Sequence, residues 1–188
     1  MRYTGFVPGF PEIVTPRLKL WMPPGLQGDR ALAYFSKNRE HLEPWEPARP
    51  DGFYSRGFWE VRLEQNRDEY AAGTSMRLFV EYEGHFIGTC NFSNIVRGAF
   101  QACHLGYAVA ADRQGKGLMF EALNAALPFA FEHLGVHRIM ANYQPHNLRS
   151  GRLLRRLDFV VEGYARDYLF IGGAWRDHVL TARINPAF

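Results

Sequence analysis

The residues Arg113-Gln114-Gly115-Lys116-Gly117-Leu118-Met119 have types and spacing suited to holding a diphosphate. An apolar run at 105–109 precedes them and reads as a strand, and a run at 118–134 with helical period follows. The first N–H groups of a helix have no partner inside it, and the helix dipole puts partial positive charge at that end. Two glycines permit a tight turn and let a phosphate approach bare main chain. Lys116 and Arg113 add charge beside it. An ordinary helix start after a turn is the plainer alternative. The phosphate loop G-x-x-x-x-G-K-[ST] is missing, and Phe120 stands where G-x-G-x-x-G needs its third glycine. Neither common nucleotide motif therefore accounts for the segment.

The elements that would position this turn follow from hydrophobic period and breakers. The stretch to Pro16 is rich in Gly, Pro and Phe and is expected to cross the surface. Residues 17–22 alternate as a strand, and 26–38 read as a helix. The segment 41–47 is expected to be a stiff loop, since Pro44 and Pro47 fix their own φ and restrict their predecessors. Ser55 is the expected N-cap of a helix to 71. Strands at 76–82, 85–95 and 100–109 form an antiparallel meander through turns at Glu83-Gly84 and Arg97-Gly98. After the helix 117–134, with a kink expected at Pro128, come a strand at 138–143 and a helix at 147–157. A hairpin of 159–170 and 175–182 turns at Gly172-Gly173. This order implies a mixed α/β, α+β-like fold with a mostly antiparallel sheet and one βαβ crossover, its two strands parallel neighbours.

Composition narrows the function classes. A chain of 188 residues fits one domain, 1–188, and 47% apolar residues supply a core. The net charge of +3 comes without a Lys/Arg arm, so direct nucleic-acid binding is not expected. No signal region or membrane-length apolar run is seen, which points to a soluble, cytoplasmic protein with no membrane partner. Cys90 and Cys103 are too few for a disulfide framework; a reduced, buried pair is expected. His133 and His137 have helical spacing, but Gly135 intervenes and no acidic or thiolate ligands cluster nearby, so no metal site is expected.

The segment Gln114-Gly115-Lys116-Gly117-Leu118-Met119 resembles the coenzyme A loop [QR]-x-x-G-x-[GA] of the GCN5-related N-acetyltransferase (GNAT) superfamily, with Met119 in place of a small residue. Asn147-Leu148-Arg149-Ser150 matches the second motif, N-x-x-S, and Leu154, Leu157 and Phe159 extend it. Asp158 stands where such families usually carry Gly; it tolerates a left-handed backbone better than most residues. At finer grain the chain resembles RimJ-type ribosomal-protein alanine N-acetyltransferases. The segments that carry this likeness are 41–47, 90–98, 115–122, 137–143 and 175–180.

The resemblance implies the GNAT acyl-CoA N-acyltransferase fold, acetyl-CoA as co-substrate, and transfer of acetyl to the N-terminal alanine of a ribosomal protein by direct attack of the amine on the thioester. A small amine (an amino sugar or polyamine) as acceptor, and a ribosome-associated binding module with little catalysis, are the alternatives; either a monomer or a homodimer is compatible. The strand before the loop is implied to bulge, so that Tyr107, Ala108 and Val109 offer main-chain groups to the pantetheine arm. Residues 114–119 would take the diphosphate. Asn147 would bond the arm, cap its helix, or both. Ser150 is implied as the acid that protonates the leaving thiolate; a solvated hydroxyl in the first helical turn is the alternative. For the base, Asp167 is the candidate, two residues from Leu169 and expected to share its strand face; a carboxylate paired with Arg166 or Arg176 is the alternative. Glu43 and Glu46 would attract a cationic N-terminus, and Trp45 would be one wall of the acceptor site or a core plug.

Overall fold

The computed structural model describes residues 9–187. Its strands are β1 (Glu12–Val14), β2 (Lys19–Trp21), β3 (Met76–Tyr82), β4 (His85–Val96), β5 (Ala102–Val109), β6 (Arg138–Met140), β7 (Val160–Ile171) and β8 (Ala174–Ile184). Its helices are α1 (Gly28–Lys37), α2 (Arg39–Leu42), α3 (Arg56–Ala71), α4 (Leu118–Leu134) and α5 (Leu148–Arg156). The strands make one sheet in the order β1-β2-β3-β4-β5-β6-β8-β7. β5 and β6 are parallel through Ala102↔Arg138, Cys103↔Ile139 and His104↔Met140. The other neighbouring pairs are antiparallel. Parallel neighbours need a crossover, and α4 provides it.

Alternation along β3 divides the core into two layers. Met76, Leu78 and Val80 join Leu123, Leu127 and Leu134 of α4 on one face of the sheet. Phe79 joins Phe35, Trp59 and Leu63 of α1 and α3 on the other. There Phe35 and Trp59 stack at 4.5 Å between ring centroids. Each such side chain, fully buried, contributes about 1.5–3 kcal/mol.

The local signals act as read. Ser55 Oγ accepts from Phe58 N at 3.3 Å and starts α3. Asp158 lies at φ 62°, the left-handed conformation that closes α5. Gly172 and Gly173, at φ 59° and 77°, make the β7–β8 turn. Cys90 and Cys103 are free and buried. Two expectations need correction. Residues 12–14 form β1 rather than crossing the surface, because β2 offers them an open edge; the expectation for residues 1–8 lies outside the described residues. The stiff loop 41–47 is partly helical, ending α2 and adding a 3-10 turn at Glu43–Trp45. Pro128, where a kink is expected, lies inside α4, which runs from Leu118 to Leu134.

Candidate active site

The sheet splits at its centre. β5 leaves β6 after His104, while residues 105–109 stay paired with β4. The chain beyond β6 follows β8 instead: Tyr143 N–H donates to Val179 O (3.2 Å) and Val179 N–H to Tyr143 O (2.9 Å). Ala110 N–H donates to Ile87 O at 2.7 Å. In the alternating antiparallel pattern, Ala108 and Gly106 then face β4, and the main-chain groups of Leu105, Tyr107 and Val109 turn into the split. The bulge expected within 107–109 is absent, because Gly88↔Val109, Thr89↔Ala108 and Cys90↔Tyr107 are in regular register. The opening comes from loss of β6, and an extended ligand could pair there as a strand would.

Beyond β5 the chain turns through Gly115 and Gly117, both at φ 73°. No side chain caps α4, so its first amides are free to meet an anion. A Cβ at Gly115 would touch nothing within 4 Å, which leaves room for a bulky group. The one acidic residue of the first turn, Glu121, accepts from Thr15 Oγ1 (2.6 Å), Arg17 N (3.0 Å) and Arg17 Nε (2.6 Å). Burial works against its ionisation, but those bonds prevail and hold its carboxyl below the ordinary range. Its charge is matched by Arg17, so the turn stays receptive to phosphate. Met119 fits because of Gly88: a Cβ on Gly88 would lie 3.2 Å from Met119 Cε and 2.5 Å from Ala108 O.

α5 closes the split from the other side. Asn147 caps it, its Oδ1 accepting from Ser150 N at 3.1 Å. Ser150 Oγ lies 2.7 Å from Tyr107 Oη, a hydrogen bond that spans the opening. Burial pushes the Tyr107 hydroxyl up to about 12, the bond to Ser150 offsetting part of the rise. This phenol therefore keeps its proton throughout the working range. Tyr143 stands close by; a Cβ on Gly151 would meet its ring and hydroxyl at 2.9 Å.

The acceptor-side candidates gather around a different set of contacts. Trp45 is 37% exposed and lies 5.3 Å from the His146 ring, beside the cap of α5. That exposure rules out a core plug. Glu43 pairs with Arg39 at 2.9 Å, and Glu46 with Arg49. A cleft of about 590 Å³ opens here, lined by Glu43, Glu46, Arg49, Phe53, Tyr54 and, from the β7–β8 turn, Gly172. Asp167 is exposed at φ 47° within an irregular stretch of β7 between Ala165 and Leu169. That irregularity breaks the alternation on which a face shared with Leu169 depended. Asp167 N–H donates to Asp177 Oδ1 at 2.9 Å, and among the described residues no ion pair joins its carboxylate to Arg166 or Arg176.

Two residues outside the expected set stitch the cofactor side to the acceptor side. Buried Asn38 accepts from Ala111 N (3.0 Å) and donates to Tyr34 O (2.8 Å). His41 Nε2 lies 3.1 Å from Val109 O and 3.2 Å from Gln114 Nε2. Val109 O only accepts, so that bond needs the proton on Nε2. The side chain of Tyr107 gave no signal, since the family resemblance bears on its main chain. His41 falls in a segment that carries the family resemblance; Asn38 gave no signal. Among the described residues no group of three or more His, Cys, Asp or Glu is placed to hold a metal ion.

A split sheet, a glycine turn at an uncapped helix and a hydroxyl pair across the opening define an acyl-transfer fold that takes a long, strand-like donor. Residues 20–160 match the acetyltransferase (GNAT) domain, and the chain belongs to that family. It is 47% identical over 177 residues to the [ribosomal protein uS5]-alanine N-acetyltransferase of Escherichia coli K12, covering 93% of this chain and 91% of that one. The crystal structure of the ribosomal-protein-S5-alanine acetyltransferase of Vibrio fischeri superposes with a TM-score of 0.89 at 37% identity, over 94% of this chain and 97% of that one. Mycobacterium smegmatis RimJ in complex with CoA-disulfide gives 0.86 at 28% identity, over 95% and 88%.

Proposed function

We propose that this protein transfers acetyl from acetyl-CoA to the N-terminal alanine of ribosomal protein uS5, by direct attack of the α-amine on the thioester. The acceptor rests on one observation, the 47% identity over nearly the whole chain to the E. coli enzyme of that activity. The residues on the donor side fit the co-substrate: free first-turn amides in α4, open space at Gly115, and main-chain groups of Leu105, Tyr107 and Val109 that lack a strand partner.

The chemistry needs little acid or base strength. An α-amine has a pKa of about 7.7–8.0, so much of it is neutral near pH 7.5. Its nitrogen attacks the thioester carbonyl carbon and the C–S bond breaks. The proton lost by the amine passes to Asp167 or to water, and the departing thiolate takes a proton from Ser150. Tyr107, 2.7 Å away and protonated, hydrogen-bonds Ser150 and passes it a proton in the same step in which water returns one to the phenol, so the proton released by the amine balances the one taken by the thiolate and no phenolate accumulates. A cysteine acyl-enzyme is disfavoured, because burial pushes the thiols of both Cys90 and Cys103 upward. Placement of donor and acceptor, with carbonyl polarisation by main-chain N–H, would then supply most of the rate.

Mass spectrometry after incubation with acetyl-CoA tests the reading. The uS5 N-terminal sequence should gain an acetyl group on its α-amine, and the same sequence with a blocked terminus should not. Faster transfer to spermidine or an amino sugar than to the alanine terminus would overturn the acceptor assignment.

A further inference from the structure

α5 carries Arg149, Arg152, Arg155 and Arg156 and no acidic residue. All four are exposed, and among the described residues none is in an ion pair. Such a run repels itself and does not stabilise a nine-residue helix, whose only macrodipole benefit falls to Arg155 and Arg156 in the last turn. The packing of the opposite face by Leu153, Leu154 and Leu157 holds the helix in place.

Helical spacing puts Arg149, Arg152 and Arg156 in one stripe, with Arg155 rotated away from it. Both ends of the stripe touch the donor-side turn. Arg149 Nη1 donates to Oε1 of Gln114, at the start of the glycine turn. The Arg156 guanidinium lies 4.2 Å from the Phe120 ring centroid, in the first turn of α4. The stripe therefore runs alongside 114–120, about 10 Å from Arg149 to Arg156 at the helical rise. Arg152 lies between the two anchored ends and, among the described residues, has no hydrogen-bond, ion-pair or ring partner. The two sides thus form a trough, with free amides and Lys116 on one wall and a row of guanidinium groups on the other.

We infer that the arginine stripe of α5 recognises the 3′-phosphate of the coenzyme A nucleotide, with Arg152 as its principal contact and Arg156 supporting it. This rests on the acetyl-CoA reading above. A diphosphate on the α4 amides carries its adenosine one bond away, and the ribose 3′-phosphate is a dianionic group only one sugar further on. Arginine suits it, since its fork of N–H donors matches phosphate oxygens in pairs. Recognition of this group makes the enzyme select the full carrier over carriers that lack the 3′-phosphate.

Calorimetry at fixed salt with the full chain, comparing CoA with 3′-dephospho-CoA, reads the proposal without turnover. The wild type should bind CoA about tenfold more tightly, the scale of a charge-assisted bond. Arg152→Ala should bring that ratio to about one while leaving the dephospho-CoA affinity unchanged, and Arg152→Lys should restore part of it. Arg155→Ala, off the stripe, should leave both affinities as they were. Equal affinity of the wild type for the two ligands would overturn the inference and spare the acetyl-CoA reading; failure to bind either would overturn both. Equal loss of both ligands in Arg152→Ala would reassign the stripe to general attraction. Loss of ribosomal RNA binding with an intact ligand ratio would reassign it to RNA, and either result overturns the proposal.

Discussion

The proposed donor wall, residues 105–120, is made mostly of main chain, whereas the proposed acceptor wall, residues 39–55 with the β7–β8 hairpin, is made of side chains. On the donor side the available groups are those of β5 that turn away from β4 and the first amides of α4. On the acceptor side, Arg39 lies over Tyr54 (4.7 Å) and Arg49 over Phe53 (4.1 Å), while Glu43 and Glu46 pair with those same arginines. Main-chain geometry recognises what every acyl-CoA shares and changes only when the backbone does. Side chains can be exchanged one by one without disturbing the sheet. One fold can thus keep its donor while its acceptor varies, and Asn38 and His41 are the seam where the two walls meet.

The sharpest way to break this contrast is to add one atom to the donor wall. In Gly88→Ala the new methyl would lie 2.5 Å from Ala108 O and 3.2 Å from Met119 Cε. The first contact is with main chain and cannot be relieved by a rotamer change. Denaturant titration should show a loss of about 3 kcal/mol, the upper part of the overpacking range, and CoA binding by calorimetry should fall with it. Gly88→Ala with Met119→Ala should recover only the smaller part. A variant that folds and binds CoA normally would show that β5 does not carry the donor.

The hydroxyl pair joins the walls to the chemistry. Ser150→Ala should lower kcat roughly 10- to 100-fold, below the usual span for a positioned acid because a thiolate leaves readily. Its CoA affinity should stay near the wild-type value, and a large change there would make Ser150 a binding residue instead. Tyr107→Phe should show a smaller fall in kcat and a signature in alkali. Burial raises the folded-state pKa of this phenol to about 12, against 10.0 for its ordinary value. The unfolded chain therefore releases the proton first. Stability lent by the neutral phenol is complete below pH 10 and is lost as pH rises from 10 through 12. In thermal unfolding, the difference between wild type and Tyr107→Phe should shrink over that interval and be constant below it.

What was readable in the sequence divides along the same line as the two walls. Ser55, the turn at Glu83-Gly84 and Asp158 each act through their immediate neighbours, so residue type and spacing sufficed. The glycine turn and the cap at Asn147 were readable for that reason too. β1 was missed because its three residues gain order only by pairing with β2. The seam was missed because Asn38 meets Ala111, and His41 meets Gln114, across 73 residues of chain. Ser150 and Tyr107 were each noticed, but their bond across 43 residues was not. At Asp167 the rule of alternation failed outright, since a left-handed residue in an irregular strand resets which face follows.

The smallest expected effect lies on the acceptor wall. Glu43 and Glu46 were expected to attract a cationic N-terminus, yet each already faces an arginine. The exposed Glu43–Arg39 pair contributes little, and the half-buried Glu46–Arg49 pair is closed on itself, so Glu43→Gln with Glu46→Gln would not simply remove an attraction. It would leave Arg39 and Arg49 unopposed at the rim of the cleft, and the incoming amine would meet positive charge. The peptide KM should rise about two- to fivefold, with kcat held, and the rise should fade in high salt as screening shortens the reach of the arginines. Adding Arg39→Gln should then restore part of the lost affinity. If the double glutamine variant instead leaves KM unchanged at low salt, the acceptor does not pass this rim, and the wall is set by Trp45 and the hairpin alone.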